Sequence, residues 1–365
     1  MYIYQHPKWP KFTWNQEKVL TLLGKVKLAQ GILLGKMESL GFHLREEAVL
    51  DVLTQEILKS SEIEGKMLNM AEVRSSIAKH LGMKISPSVG AGRDVEGIVE
   101  MMLDATQHYK DRLTKKRLLG WQTSLFPTGY SGMFKIQIGK FRDDKKGPMQ
   151  VVSGREGKEK VHYEAPPAER LESEMLLFLD WYNAQSDMDG ILKAAIAHLW
   201  FITLHPFDDG NGRIARALTD SLLARSENTK QRFYSMSAQI RKERSEYYDI
   251  LEKTQKGSID ITHWMLWFLH CLLRAIENTK ETLAIVFNKA LFWQKFQGTL
   301  LSERQKKMVN KLLDGFGGYL TSSKWAKLCK VSQDSAARDI LDLIEKGILR
   351  QQGTGRGTHY LLIRL

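Results

Sequence analysis

One short stretch of the sequence gathers most of the residue types that phosphate chemistry needs. Residues 203–217 read TLHPFDDGNGRIARA and bring a histidine, two aspartates, an asparagine, two arginines and two glycines into an apolar helical neighbourhood. Histidine changes its protonation near neutral pH, arginine binds phosphate with two parallel hydrogen bonds, and aspartate supplies a hard oxygen ligand for Mg²⁺. The stretch therefore predicts a site that holds a phosphorylated ligand.

The backbone is expected to change direction inside this stretch. Pro206 has no N–H group and disfavours helical geometry in the residue before it, so the preceding helix is predicted to end near His205. Gly210 and Gly212 permit a tight turn, and a new helix is predicted to begin at about Arg213. The free N–H groups and the positive dipole end of that helix would attract an anion. We therefore expect a phosphate-binding loop between two helices.

Four side chains around this loop have distinct predicted roles. Arg213 and Arg216 are three residues apart, so they share one helix face and can reach the same ligand, which implies more than one phosphate group. Asp209 is the predicted Mg²⁺ ligand, completed by phosphate oxygens. His205 is the nearby group whose ordinary pKa lets it accept a proton at neutral pH, so it is the predicted general base.

Other interpretations of the stretch fit the residues less well. An EF-hand loop would need regular acidic spacing and a terminal Glu after Gly212, and both are missing. The letters GREGK at 154–158 are too short for the P-loop pattern, which disfavours a P-loop NTPase. His198 lies seven residues before His205 on the same helix face, and we interpret it as a core histidine with catalysis as the alternative.

The letters HPFDDGNGRIAR, His205 to Arg216, match every fixed position of the pattern H-x-F-x-[DE]-G-N-G-R-x-x-R, and the chain therefore resembles the Fic family. The resemblance implies a helical Fic core that transfers AMP from ATP to a Ser, Thr or Tyr hydroxyl of a target protein or of itself, releasing pyrophosphate. It also implies ATP and Mg²⁺ as cofactors. Some relatives transfer other phosphate-containing groups or remove AMP, so the donor and the direction stay open.

The resemblance implies a role for each residue of the loop. The implied roles are His205 as general base, Phe207 as loop anchor, Asp208 as one of the nucleotide-binding residues, Asp209 as Mg²⁺ ligand, Gly210, Asn211 and Gly212 as anion hole, Arg213 as β-phosphate contact and Arg216 as γ-phosphate contact.

Two further segments resemble features of the same family. KSSEIEGK contains Ser60, Glu64 and Gly65 in the inhibitory pattern [ST]-x-x-x-E-[GN], which implies that Glu64 pairs with Arg216 and blocks the γ-phosphate position. The alternative is a solvated Glu64 near a helix end. ERSEYYDILEKTQKGSID resembles the family's adenine-pocket segment, which implies nucleotide contacts by Tyr248, Leu251 and Gln255. Their i, i+3, i+7 spacing fits an ordinary core stripe equally well.

The elements that carry these residues are predicted to be mainly helical. Apolar residues recur at three- and four-residue spacing in 14–85, 94–110, 114–125, 170–185, 191–204, 213–225, 238–256 and 260–287. Alternating β-branched residues and an SGREGK turn predict a β-hairpin at about 150–162. The resemblance makes this hairpin the family's flap, whose edge can align a target by adding a strand, with Val151 and Val161 as candidates.

The predicted organisation has three domains: a helical N-terminal domain with the inhibitory motif at 1–90, a catalytic core at 91–288, and a smaller domain at 289–365. In the last, short helices at 303–314, 321–329 and 332–346 followed by two strands resemble a winged helix-turn-helix. Gln333, Ser335 and Arg338 lie on its would-be recognition helix. Asp334 and Asp339 would oppose DNA if they were exposed on the reading side, so DNA and protein both remain candidate partners.

Charge and composition limit the class of protein. Residues 301–365 hold twelve Lys and Arg against six Asp and Glu, which is half of the net charge of +12. This favours a polyanionic partner and leaves a nucleotide-sensing, DNA-binding transcription regulator as the alternative function. Cys271 and Cys329 have no disulfide or zinc spacing, and no signal peptide or membrane span is apparent, so we expect a cytoplasmic protein without membrane contact. The resemblance is compatible with a homodimer.

Overall fold

The computed structural model describes residues 1–83, 89–145, 147–154 and 160–363, and the prediction of a mainly α fold is confirmed. The chain divides into two compact units, Met1–Ser39 with Ala48–Thr279 and Leu40–Glu47 with Lys280–Leu365. The domain boundaries at 90/91 and 288/289 stay predictions. No helix in the described ranges is long and apolar enough to cross a bilayer.

The described residues contain fifteen α-helices. In chain order they are α1 (Gln16–Glu38), α2 (Phe42–Ile63), α3 (Met70–His80), α4 (Arg93–Gln107), α5 (Lys115–Leu125), α6 (Ala168–Asn183), α7 (Gly190–Leu204), α8 (Asn211–Glu227), α9 (Met236–Lys242), α10 (Arg244–Gln255), α11 (Thr262–Thr282), α12 (Ala284–Lys295), α13 (Glu303–Leu313), α14 (Ser322–Cys329) and α15 (Gln333–Glu345).

Helices α7 and α8 form the centre of the first unit. They pack directly on each other, α6 packs on α7, and α4 packs on α8. The side chain of Asp189 caps the start of α7 by accepting a hydrogen bond from the Ile191 N–H, and every residue of α7 from Ile191 to Leu204 is buried. Because both helices are fixed by burial, the short loop between them is held at both ends.

Six short strands form three antiparallel hairpins in the described part of the chain. They are β1 (Tyr130–Ser131) with β2 (Phe134–Lys135), β3 (Gln150–Ser153) with β4 (Lys160–Glu164), and β5 (Leu349–Gln352) with β6 (His359–Leu362). The β3–β4 pair is the predicted hairpin, although residues 155–159 of its turn lie outside the described residues. The β1–β2 hairpin was not anticipated, because strands of two residues leave too short an alternation to detect.

Several predicted helix boundaries were wrong. The segment 238–256 is two helices, because the chain turns at Glu243 (φ −107°, ψ 29°), whose carboxylate accepts hydrogen bonds from Arg274 at 2.6 and 2.7 Å. Helix α8 begins at Asn211, two residues earlier than expected. The helical segment predicted at 260–287 is also two helices, α11 and α12, and the second continues to Lys295.

The second unit has its own apolar core. It is formed by side chains of α12 to α15, of β5 and of the loops beside them, namely Phe292, Met308, Val309, Leu320, Trp325, Ala326, Ala336, Ile340, Leu343, Ile348 and Leu349. The order of three helices and a hairpin is the one expected. Asp339 is buried and accepts hydrogen bonds from Arg304 at 2.6 and 2.7 Å and from Trp325 Nε1 at 3.1 Å. It therefore does not oppose DNA from an exposed face, whereas Asp334 is exposed.

Candidate active site

The loop between α7 and α8 is shaped by two residues with positive φ. His205 ends α7 at φ +47°, and its N–H still donates to the Phe201 carbonyl at 3.0 Å. Gly210, at φ +91°, precedes α8, and a Cβ there would lie 3.0 Å from Cε2 of Phe126. Only glycine meets both demands without strain. The predicted helix–loop–helix is thus present, with His205 at one end and the start of α8 at the other.

Asn211 locks the loop from inside. Its Oδ1 accepts from the Phe207 N–H at 3.0 Å, and its Nδ2 donates to the Phe207 carbonyl at 2.7 Å. The Phe207 ring is fully buried, with ring centroids 5.7 Å from Phe141 and 6.4 Å from Phe201. The side chain of Asn211 is therefore used within the loop, and only its backbone N–H is left for an anion.

Asp208 is hydrogen-bonded to backbone outside the loop. Its Oδ2 accepts a hydrogen bond from the backbone N–H of Gln137 at 2.8 Å. It thereby ties the segment after β2 to the loop. This contact gives Asp208 a structural function, and nothing in its geometry favours the nucleotide contact that the resemblance implied.

His205 is held as a neutral imidazole. Its Nδ1–H donates to the Ile202 carbonyl at 3.2 Å, which leaves Nε2 as the nitrogen that can take a proton. Burial lowers the pKa of His205 to about 4, in spite of opposing contributions that include this hydrogen bond. At neutral pH the ring is thus unprotonated, as a general base must be.

Arg142 supports His205 and was missed by sequence reasoning. Its Nε donates to the His205 carbonyl at 2.9 Å, its Nη2 donates to the Pro166 carbonyl at 2.5 Å, and its Nη1 pairs with Asp144. The side chain is buried. Arg142 lies 63 residues before His205 in a segment without helical periodicity, so no local signal could have identified it.

His198 is a core residue. Its Nδ1–H donates to Thr219 Oγ1 at 2.9 Å, and its Nε2 accepts from the Tyr247 hydroxyl at 2.9 Å. Thr219 in turn donates its hydroxyl proton to the Ala215 carbonyl. Burial lowers the pKa of His198 to about 3. Both ring nitrogens are satisfied, which favours the structural interpretation of this histidine.

Arg216 is hydrogen-bonded to residues in the last turn of α2 and directly after it. Its Nε donates to Ser60 Oγ, and its Nη2 donates to the Ser60 carbonyl and to Glu64 Oε1, each at 2.8 Å. Burial alone would lower the pKa of Arg216, but the charge of Glu64 raises it overall. Gly65 (φ +79°) ends the helix in a conformation that glycine adopts readily. The predicted Glu64–Arg216 contact is therefore present in the structure.

Gly212 makes room for this contact. A Cβ at Gly212 would lie 2.1 Å from Glu64 Oε1 and 3.2 Å from Arg216 Nη1. The absence of a side chain lets the carboxylate of Glu64 approach the start of α8, where an anion is favoured by the helix dipole. Glu64 thus lies against the helix terminus at which the sequence predicts a phosphate.

Arg213 is buried with less complete hydrogen bonding than Arg216. Its guanidinium lies over the Phe126 ring, 4.9 Å from the centroid, and its Nη2 is 3.8 Å from Asp209 Oδ1. Its Nε has no hydrogen-bond partner among the residues that the structure describes. Burial lowers the pKa of Arg213. A buried cation with an unmet donor favours the approach of an anionic ligand.

Asp209 is more exposed than the two arginines that follow it, with 40% of its side chain accessible against 7% for Arg213 and 2% for Arg216. Its Oδ1 accepts from the Gly210 N–H at 2.5 Å, and its Oδ2 accepts from the Ser131 hydroxyl of β1. In the described part of the chain, no group of three His, Cys, Asp or Glu side chains could hold a metal. A single carboxylate fits a Mg²⁺ ion whose other ligands are phosphate oxygens and water.

The three predicted adenine contacts have different environments. Tyr248 is half-buried, with the Arg244 guanidinium 5.0 Å from its ring centroid, and burial raises its pKa, with the charge of Glu64 adding to the effect. Leu251 is buried, as is Gln255, whose Nε2 lies 3.4 Å from Thr203 Oγ1. Tyr248 thus lies close to Glu64 and the buried Arg216, whereas Leu251 and Gln255 also serve the core.

Two family models match separate parts of the chain. Residues 112–223, which include the whole loop, match the Fic/DOC family, and residues 2–83 match a domain of unknown function (DUF4172). The Fic/DOC match contains every loop residue from His205 to Arg216. Glu64 and Ser60 lie in the other match.

The curated relatives are named protein adenylyltransferase Fic. The one from Culex quinquefasciatus is 27% identical over 237 residues, which cover 64% of this chain and 42% of the relative. The one from Drosophila willistoni is 28% identical over 209 residues, covering 56% of this chain and 37% of the relative. The chain thus spans about two fifths of the length of these relatives.

Two solved structures share the fold. A Fic family protein from Desulfovibrio desulfuricans aligns with a TM-score of 0.61 at 20% identity and covers 97% of this chain and 98% of its own. A Fic domain containing signaling protein from Bacteroides thetaiotaomicron aligns with a TM-score of 0.51 at 18% identity, covering 73% and 98%. These likenesses concern the fold alone.

Proposed function

We propose that this chain, which contains a Fic/DOC family domain, is a protein adenylyltransferase that transfers AMP from ATP to a Ser, Thr or Tyr hydroxyl of target proteins and of itself. Pyrophosphate is the second product. Glu64 inhibits the enzyme by pairing with Arg216. The observation that carries the proposal is the neutral His205 at one end of a loop whose other end presents Arg213 and Arg216 at a helix N-terminus. ATP is the substrate that such a loop fits.

In the proposed complex the triphosphate lies along the start of α8. Arg216 takes the γ-phosphate, and Arg213 takes the β-phosphate with the Nε donor that the chain itself leaves unmet. The backbone N–H groups of Asn211 and Gly212 would face the same anion, whereas the Gly210 N–H donates to Asp209 Oδ1. The ring of Tyr248 would contact the adenine base, and Leu251 and Gln255 follow Tyr248 in the same helix.

Asp209 is the residue that would hold Mg²⁺. Its carboxylate is 40% exposed, and the bound ion would neutralise charge on the phosphates. The rest of the chemistry falls to the chain. His205 Nε2 takes the proton of the incoming hydroxyl, and Arg142 and Ile202 keep the ring in the orientation and tautomer that this step needs.

Glu64 restrains the enzyme by occupying Arg216. While the 2.8 Å pair is intact, the γ-phosphate lacks its partner, and ATP binds in a pose unsuited to in-line attack on the α-phosphate. Ser60 contributes two further contacts to the same guanidinium, so the inhibited arrangement does not depend on the carboxylate alone.

Parallel labelling with two forms of ATP tests the proposal. The Glu64→Gly chain is incubated with Mg²⁺ and a lysate, once with ATP labelled at the α-phosphate and once at the γ-phosphate. We expect protein-bound label from α-labelled ATP only, and label on lysate proteins should fall by about 10²- to 10⁴-fold in the Glu64→Gly, His205→Ala double variant. Label from the γ-phosphate would indicate a kinase instead, and undiminished label without His205 would exclude the proposed mechanism.

A second candidate function uses the C-terminal unit. A surface cavity of about 790 Å³ in that unit is lined by four lysines and one acidic residue together with polar, apolar and glycine residues, namely Lys307, Lys311, Lys324, Lys327, Asp314, Asn310, Phe316, Leu328, Gly315 and Gly317. Four lysines around one cavity favour a polyanion, and helices α14 and α15 precede a hairpin in winged-helix order. This supports the alternative of a nucleotide-sensing transcription regulator that binds DNA, or a protein partner, through the tail.

Titration of the full chain against duplex DNA at increasing salt separates the two functions. Specific binding that is lost with Lys307→Gln and Lys327→Gln, in a chain without transfer activity, would favour the regulator. Transfer activity without DNA binding would favour the enzyme with a protein-docking tail. A cytoplasmic location and a homodimer stay predictions from the sequence.

A further inference from the structure

Three side chains outside the loop form a hydrogen-bonded relay. The hydroxyl of Ser153, at the end of β3, lies 2.5 Å from Nε2 of His162 in β4. Nδ1 of the same ring lies 2.5 Å from Oε2 of Glu252 in α10. Ser153 is exposed, and the side chains of His162 and Glu252 are about one quarter exposed. The proposed transfer reaction uses none of these three residues.

A β-bulge orients the side chain of His162 toward Ser153 and Glu252. Val151 pairs with Tyr163 and Val152 pairs with Val161, so His162 is the extra residue between two registered pairs. The bulge bends β4 so that the imidazole reaches Ser153 across the hairpin and Glu252 on the helix. The next residue, Tyr163, is buried and donates its hydroxyl to the Thr203 carbonyl at 2.8 Å, which anchors the hairpin close to the end of α7.

The contacts fix the tautomer of a neutral His162 ring. Glu252 can only accept, so the Nδ1–H of His162 donates to it, and in the neutral ring Nε2 is left to accept the proton of the Ser153 hydroxyl. A hydrogen bond from Lys256, followed by the one from His162, lowers the pKa of Glu252 to about 2. The carboxylate is therefore charged at neutral pH and can stabilise an imidazolium. Nucleophile, base and orienting carboxylate stand in the order that activates a serine.

We propose that Ser153 is an activated hydroxyl that accepts AMP from ATP, which makes the β3–β4 hairpin a self-modification site. The inference rests on the proposed function for its donor. The Ser153 Oγ–Pα bond forms, the bond from Pα to the bridging oxygen of the β-phosphate breaks, and pyrophosphate leaves with that electron pair. The hydroxyl proton passes to His162 Nε2 and from there to water.

The reactivity of Ser153 can be measured without the nucleotide site. A fluorophosphonate probe reacts with activated serines at phosphorus, and its attachment is located by mass spectrometry of the unmodified chain. We expect Ser153 to be labelled faster than Ser186, an exposed serine whose hydroxyl accepts from the Met188 N–H. Labelling no faster than at Ser186 would overturn the inference.

His162→Gln distinguishes activation from a merely structural contact. The Gln amide can still hydrogen-bond to Ser153 or Glu252, but it cannot take a proton. We expect this variant to slow probe attachment about 100-fold, the lower range for loss of a general base. An unchanged rate would mean that the relay only fastens the hairpin to α10. His205→Ala should leave the probe reaction unchanged.

Mapping of AMP then tests the donor. The Glu64→Gly chain is incubated with ATP and Mg²⁺, and the modified peptides are sequenced. We expect AMP on Ser153 and its loss with Ser153→Ala, while transfer to lysate proteins continues. AMP on lysate proteins and on other residues of the chain, but never on Ser153, would refute the inference and leave the proposed function intact. No transfer to any protein would refute the proposed function, and the donor assigned to Ser153 would fall with it.

Discussion

The two ends of the loop between α7 and α8 are controlled by different parts of the chain. At one end, His205 is held by Ile202 of its own helix and by Arg142, both within residues 112–223. At the other end, Arg216 is held by Ser60 and Glu64, which belong to the N-terminal match at 2–83. His205 is thus held by contacts within the Fic/DOC match, whereas Arg216 is held by a segment from outside it.

This difference predicts that catalysis and restraint can be changed separately. Substitutions at the His205 end should remove activity without affecting the inhibitory contact. Substitutions at the Arg216 end should release activity without affecting the base. The following changes test that division, from the largest expected effect to the smallest.

His205→Ala in the Glu64→Gly background should reduce AMP transfer to lysate proteins by about 10²- to 10⁴-fold, because no other group would take the proton of their hydroxyls. The rate is measured with α-labelled ATP. ATP affinity, measured by calorimetry, should stay within about threefold since the phosphate contacts are untouched. A large loss of affinity would mean that the two ends are not independent.

Glu64→Gly should raise transfer by roughly 5- to 150-fold, the range of a typical coupling between two sites. The freed Arg216 would then bind the γ-phosphate. Glu64→Gln is the matched control, because its amide still reaches Arg216 without the charge, and it should give an intermediate rate. Equal transfer rates for the wild type, Glu64→Gly and Glu64→Gln would contradict an inhibitory role of the Glu64–Arg216 contact at 2.8 Å.

Asn211→Ala should lower the free energy of unfolding by about 3 kcal/mol, because it leaves the buried N–H and carbonyl of Phe207 without partners. Urea titration measures the change. Asp208→Ala removes one contact, to the Gln137 N–H, and should cost about 1 kcal/mol. A smaller loss of unfolding free energy for Asn211→Ala than for Asp208→Ala would show that the two hydrogen bonds of Asn211 do not hold the loop.

Lowering the pH should destabilise the chain through His205. Its pKa is about 4 in the folded state, below the ordinary value of 6.5, so the unfolded chain binds the proton first as the pH falls. The stability that the neutral ring contributes is complete above about pH 6.5 and is lost progressively down to about pH 4. Between pH 8 and 5 the wild type should lose about 2 kcal/mol more than His205→Ala in urea titrations. Parallel pH profiles would contradict the buried neutral state.

Ser60→Ala should free the Arg216 guanidinium only in part. It removes the hydrogen bond from Arg216 Nε but leaves the Ser60 carbonyl and Glu64 in place, a loss of about 1 kcal/mol or roughly fivefold in transfer. Ser61→Ala is the control, because the Ser61 hydroxyl is buried without a hydrogen-bond partner among the described residues. Transfer by the Ser61 variant should match that of the wild type.

Much of the fold and of the loop could be predicted from the sequence because the signals are local. The end of α7 follows from Pro206, and the tight turn follows from Gly210, whose neighbours along the chain dictate its backbone. Helical periodicity gave most helices within a few residues. It missed the break at Glu243, because the Arg274 that stabilises it lies 31 residues away.

The amino-acid sequence by itself determined the helices, the loop and the residue types in it, since each depends on a few neighbouring positions. Only the tertiary structure decided which partners these residues have. Arg142 behind His205, Gly212 beside Glu64, and the relay from Ser153 to Glu252 join positions up to 148 residues apart in the chain. Such contacts depend on how buried helices pack, and packing depends on side-chain shape across the whole core, which leaves no periodic trace in the sequence.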